Sequence, residues 1–155
     1  MMQDLFRAEL ICEPFAADSA ENTIRRMGEV LVAEDCVTTD YIGAALVRER
    51  DFPTGIQLQN VGIAIPHATP EGNVRRSGIA VAKLQSPVNF QSMENPEDIV
   101  SANLVFFLAL KDQQQHLEIL KKLFLSFQQP ELVQELMDSH DMNALLNALQ
   151  RNLEL

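Results

Sequence analysis

Two histidines, an arginine and a threonine have settings in this 155-residue chain that suit chemistry. His67 closes the apolar run Val61-Gly62-Ile63-Ala64-Ile65-Pro66-His67-Ala68. The run is short and rich in β-branched residues, so it reads as a buried strand. Pro66 has no N–H to give to a ladder and holds Ile65 extended, so pairing is expected to fail there and His67 to stand at the strand's mouth. An imidazole with an ordinary pKa of about 6.5 is mostly neutral and nucleophilic near pH 7, as covalent chemistry requires. Position alone leaves an inert turn histidine as the other reading.

His116 falls with Leu120, Leu123 and Phe127 on the apolar stripe of a helix expected over Gln113 to Phe127. A buried, satisfied histidine is the ordinary explanation of such a position. The helix follows a strand directly, however, and a helix N-terminus attracts anions through its free N–H groups and dipole. His140, after Asp138-Ser139 and between two helices, reads as exposed and inert.

The elements that must position these groups follow from periodicity and punctuation. Leu10-Ile11-Cys12 reads as a short strand ending near Pro14, and the Asp18/Glu21 spacing predicts a helix from about Ser19 to Ala33. A second helix begins at Thr39 or Asp40, turns Ile42, Ala45 and Leu46 inward and ends near Arg50 ahead of Pro53. Asp51 to Asn60 reads as a loop whose Pro53-Thr54-Gly55 can turn backbone N–H groups toward an anion. Thr69 to Arg76 is a polar surface connection that can border a docking site. Ser77 to Leu84 and Val88 to Phe90 are expected strands, and Ala102 to Leu110, the most hydrophobic, belongs in the sheet's centre. The last third is helical: Leu117, Leu120, Leu123, Phe124 and Phe127 form one stripe, Pro130 opens a helix to Met137, and Asp141 caps a final one. This order gives an α+β fold, an α/β/α three-layer sandwich in which a mixed sheet carries helices on both faces.

Composition bounds the function. One domain over residues 1–155 is expected, globular at 46% hydrophobic and 22% charged residues. A net charge of -10, from 22 acidic and 12 basic residues, argues against nucleic acid and favours encounter with a basic protein partner. Cys12 and Cys36 form no disulfide framework or CxxC motif and read as buried thiols of a reducing compartment. Nothing resembles a signal peptide, and no apolar run approaches the roughly 20 residues of a membrane helix, so a cytoplasmic location is expected. The chain has neither a GxxxxGK phosphate loop nor HExxH spacing, so no cofactor and no metal are expected. A two-histidine metal site at His67 and His116 would need a third ligand that no spacing supplies.

Ile63-Ala64-Ile65-Pro66-His67-Ala68, preceded by Arg48-Glu49 and Phe52-Pro53-Thr54-Gly55-Ile56, resembles the active-site signature of the type 2 IIA component of the bacterial sugar phosphotransferase system. Within this mannitol/fructose superfamily the resemblance is to the galactitol-type branch. Gln59-Asn60-Val61-Gly62 stands where mannitol-type members usually carry Gly-Asn-Gly. The resemblance implies a phosphotransferase relay. The histidine, here His67, accepts a phosphoryl group on Nε2 from the HPr phosphocarrier protein and passes it to a cysteine of the cognate EIIB. That component in turn serves the membrane EIIC. His116 lies 49 residues on, the separation of the second active-site histidine in mannitol-type members, and is implied to stabilise the phosphate. Arg48 matches the family's arginine, whose fixed fork of donors suits phosphate oxygens; otherwise it is a solvated charge at a helix end. Thr54 either gives a hydroxyl to the phosphoryl group or caps its turn, and Glu49 orients a loop or an arginine. The alternatives are a regulatory phospho-acceptor domain of the nitrogen-related kind, which controls partner proteins, and a plain adaptor.

Overall fold

Alternation along the strands decides which layer each side chain reaches. In the computed structural model, which describes residues 2–153, a four-stranded sheet runs in the order β1-β2-β4-β3. Its strands are β1 (Gly55–Gln57), β2 (Gly62–Ala64), β3 (Gly78–Gln91) and β4 (Ile99–Ala109). β2 pairs with β4 in parallel while β1–β2 and β3–β4 are antiparallel, so the sheet is mixed. Leu104, Phe106 and Leu108 of β4 join Ile79 and Val81 of β3 in one core, and Val105, Phe107 and Ala109 join Ala80 and Ala82 in the other. The first core is closed by α3 (Gln113–Phe127), α4 (Pro130–Asp138) and α5 (Met142–Asn152), the second by α1 (Ala20–Ala33) and α2 (Thr39–Asp51). This is the expected α+β architecture.

Several elements differ from expectation. Leu10-Ile11-Cys12 forms no strand: Ala8–Leu10 is a 3-10 turn, and Ile11 makes one parallel bridge to Val81. The cap of α1 is Ser19, whose side chain accepts from the Asn22 N–H, while Asp18 binds the Asn22 side chain. The anticipated loop 51–60 contains β1, a strand of only three residues and too short to give a period. The two strands foreseen between Ser77 and Phe90 are one, β3, whose pairing register shifts between Lys83 and Val88. Leu117, placed on the inner stripe of α3, is 71% exposed, and Ile119 is buried in its stead.

Gly62 is where β2 approaches β4 most closely. A Cβ there would overlap the Ser101 carbonyl oxygen, so only glycine lets the strand that leads to His67 lie in the sheet. Ile63 and Ile65 point into the α3 core, and by the same two-residue period His67 continues that face. No helix among the described residues is long and apolar enough to cross a membrane.

Candidate active site

Pro66 interrupts pairing more briefly than expected. Its carbonyl accepts the Leu108 N–H at 3.1 Å, and His67 forms a parallel bridge with Leu108. The backbone is thus held to β4 on either side of the one missing donor. Behind it, Ala68 N–H donates to the Tyr41 hydroxyl at 3.1 Å, and that hydroxyl lies 2.6 Å from its acceptor, the Leu108 carbonyl. Tyr41, on α2, is a support that sequence reasoning missed; a tyrosine on an otherwise aliphatic inner face was the signal for it.

The His67 ring is 7% exposed, and its Nδ1 lies 2.8 Å from the Ile65 carbonyl oxygen. A carbonyl only accepts, so Nδ1 carries the proton and Nε2 keeps its lone pair. Burial pulls the pKa of His67 down to about 4, opposed by the Ile65 hydrogen bond and reinforced by the charges of His116 and Arg48. At pH 7 only about one ring in a thousand is protonated.

His67 lines a cavity of about 230 Å³ together with Arg48, Thr69, Pro70, Gln113, His116, Leu117 and Leu120. The ring is low in exposure yet reachable from a concave surface. His116 stands with its ring centre 4.7 Å from that of His67, tilted by 65°. Burial first and Arg48 second hold its pKa below the ordinary value, and no hydrogen bond engages either of its ring nitrogens among the described residues. The Arg48 guanidinium lies over the Phe52 ring at 5.0 Å, and its buried Nε has no hydrogen-bond partner. A buried donor without a partner is a destabilised group that gains most from an acceptor. His67, His116 and Arg48 therefore converge on one space.

Thr54 does not join them. Its hydroxyl donates to Glu49 Oε1 at 2.8 Å, its oxygen accepts the Ile65 N–H at 3.2 Å, and it is absent from the cavity wall. Of the two parts open to Thr54, the structure favours the one inside its own turn over the phosphoryl contact: its hydroxyl proton is engaged by Glu49 and is not offered to a phosphoryl oxygen. Glu49 Oε2 accepts the Thr54 N–H at 2.8 Å as well, so the carboxylate orients the Pro-Thr-Gly loop. His140 is exposed and remote from the cavity. Thr69 and Pro70, from the connection expected to border a docking site, line the cavity, as do Gln113, which had no assigned part, and Leu117, which was placed on the inner stripe. No third His, Cys, Asp or Glu completes a metal-binding group with His67 and His116 among the described residues.

A neutral imidazole with a fixed tautomer, facing an unpaired cation and a second imidazole, can accept an electrophile at Nε2 and hold an anion beside it. The chain is similar to IIA components of sugar phosphotransferase systems. It is 34% identical over 113 residues to the galactitol-specific EIIA component of Escherichia coli K12, covering 73% of this chain and 74% of that one. It is 30% identical over 148 residues to the mannitol-specific IIA component of Halalkalibacterium halodurans, covering 94% of each. The structure matches the IIA mannitol component of Escherichia coli in its complex with phosphorylated IIB, with a TM-score of 0.76 and 27% identity over 92% of this chain and 95% of that one. Residues 4–152 match the family model described as phosphoenolpyruvate-dependent sugar phosphotransferase system, EIIA 2. The chain belongs to this family of phosphotransferases, which relay phosphoryl groups.

Proposed function

We propose that this protein is a sugar- or polyol-specific IIA component of the galactitol-like kind. His67 Nε2 takes a phosphoryl group from phosphorylated HPr and gives it to a cysteine of a cognate IIB protein. The single observation that carries the reading is the Nδ1–H of His67 tied to the Ile65 carbonyl beside two unpartnered phosphate-binding groups. In the first step the bond from phosphorus to the carrier breaks as the bond to Nε2 forms. No proton has to leave His67, because Nε2 is already bare. Arg48 and His116 hold the equatorial oxygens, which is most of what phosphoryl transfer asks of a protein. A ring of such low basicity is a poor trap for the group and a good relay. In the second step the thiolate of the IIB cysteine attacks, the bond from Nε2 to phosphorus breaks as the bond to sulfur forms, and His67 returns to its starting neutral tautomer with no proton gained or lost.

The family resemblance of the Phe52-Pro53-Thr54-Gly55 stretch and the 34% identity to a galactitol-specific component favour a galactitol-like polyol system over a regulatory role. The test is incubation with phosphoenolpyruvate, enzyme I and HPr, followed by measurement of acid-labile phosphate and of onward transfer to a galactitol-type IIB. Label is expected on the wild type, passing to the IIB cysteine, with none on His67→Ala. Label surviving in His67→Ala would overturn the acceptor assignment. Label that forms on His67 but passes to no IIB would favour the regulatory reading.

A further inference from the structure

The chemistry of His67 faces the cavity, but its proton is controlled from the opposite side. Ile65 is followed by proline, so the peptide unit that bears the acceptor carbonyl has no N–H to anchor it in the sheet. Its orientation is set by the two flanking peptide units. One is held by the Pro66 carbonyl accepting from Leu108, the other by the Ile65 N–H donating to Thr54 Oγ1. That oxygen is in turn aimed by Glu49, which takes the hydroxyl proton on Oε1 and the Thr54 N–H on Oε2.

We infer that Glu49 is a positioning residue for the phosphoryl transfer, fixing the Nδ1–H tautomer of His67 through Thr54 and the Ile65 backbone. The inference rests on His67 as the acceptor. Each link has a defined polarity. An ionised carboxylate only accepts, so the Thr54 hydroxyl must point to it and leave a lone pair for Ile65. The held carbonyl then has only Nδ1–H to receive, and Nε2 stays bare. Release of the carbonyl lets the other tautomer form, with its proton on the nitrogen that must attack.

Glu49 is also poised to change state. Burial pushes its carboxyl up to about 7, against the two hydrogen bonds from Thr54. It forms no ion pair among the described residues. It lines a cavity of about 150 Å³ in which Glu21 faces it from α1, Arg50 from its own helix and Asn89 and Gln91 from β3. Protonation turns one of the two accepting oxygens into a donor, so the Thr54 N–H and hydroxyl no longer both have a carboxylate oxygen, the fixed polarity of the Thr54 hydroxyl is lost and the chain to Ile65 slackens.

The test is nitrogen-15 NMR of histidine-labelled protein, which reads the tautomer and ionisation of His67 without any phosphoryl donor. In the wild type a single Nδ1–H tautomer is expected above pH 7, with a second inflection of the His67 ring shifts near pH 7 as Glu49 titrates. Glu49→Gln should abolish that inflection and mix the tautomers, and Thr54→Val should mix them at every pH. Thr54→Ser should restore the wild-type ring. Phosphorylation by HPr should fall by up to about a hundredfold in Glu49→Gln, the scale of loss for a misplaced reacting group. Unchanged His67 ring shifts in folded Glu49→Gln, or a wild-type ring that does not sense the Glu49 titration, would overturn the inference. The wild-type titration decides the matter even if a variant fails to fold. Failure of His67 to take label while the tautomer still answers to Glu49 would sink the proposed function and leave the positioning intact.

Discussion

Arg48 and Glu49 are neighbours in the chain, yet they serve opposite sides of one imidazole. Successive residues of a helix diverge by about 100°. Arg48 therefore lines the cavity with His67 and His116, and Glu49 turns under the sheet, where both carboxylate oxygens are engaged. The Nδ1 side of His67 is saturated: a run of hydrogen bonds links Glu49, Thr54, Ile65 and the ring, and Leu108 separately holds the Pro66 carbonyl. The Nε2 side is unsaturated, with Arg48 and His116 offering donors to nothing. The difference teaches how a fold divides labour around a nucleophile. Groups that fix geometry have their bonds made in the resting protein, and groups that bind the incoming anion keep theirs open.

Removal of the open side's cation should produce the largest effect. Arg48→Ala is expected to slow phosphorylation by HPr by about 10³-fold, because a preorganised donor to transition-state charge is worth that order. Arg48→Lys keeps the charge and loses the fork, and should recover only part of the rate. Single-turnover labelling measures both. An Arg48→Ala protein that takes label at the wild-type rate would erase the distinction between the two sides.

The saturated side can be interrogated through stability, because its two titrating ends pull in opposite directions. The folded pKa of Glu49, about 7, lies above the 4.5 of a free carboxyl. Its contribution is intact below about 4.5 and is lost as pH rises through 7. The folded pKa of His67, about 4, lies below the ordinary 6.5. Its contribution is intact above 6.5 and is lost as pH falls through 4. Each gap corresponds to about 3 kcal/mol. The two slopes oppose one another between pH 4.5 and 6.5. Urea unfolding should show Glu49→Gln gaining stability across this window as pH rises, relative to the wild type, and His67→Ala losing it. Parallel pH profiles for all three proteins would deny that these groups are buried as described.

Much of this arrangement was legible in the chain. His67 could be placed because proline after a β-branched run has one structural meaning, and the central position of β4 because its run is apolar on both faces. The bounds of α3 followed from its apolar stripe, and the cap that starts it, Asp112, whose side chain accepts from the Gln114 N–H, emerged only in the structure. What stayed hidden was non-local. The choice for Thr54 between phosphate contact and turn cap stayed open because a hydroxyl in a Pro-Thr-Gly turn has no visible partner until Glu49, five residues earlier, is folded against it. Tyr41 stands out by type on its aliphatic face, but its partners at residues 68 and 108 come within reach only once α2 lies across the sheet. Leu117 was misassigned because one more position fits the period of α3 than the sheet can cover.

His116 tests the open side at a finer scale. Its pKa lies below the ordinary value because the ring is buried beside Arg48, so it is mostly neutral at pH 7 and faces His67 as a dipole. A phosphoryl dianion on Nε2 reverses that environment, since an opposite charge within about 4–6 Å favours the protonated ring. His116 is then expected to take up a proton as the group arrives and to release it as the group leaves, while Arg48 stays charged throughout. His116→Ala should therefore cost about tenfold to a hundredfold in transfer, less than Arg48→Ala, the scale of one lost hydrogen bond to a charged group. The dependence of rate on pH between 5 and 7 should flatten in the variant. NMR of the phosphorylated wild type should show the His116 pKa above its value in the free protein. If it stays below, the ring is only packing in the wall of the cavity, and the open side consists of Arg48 alone.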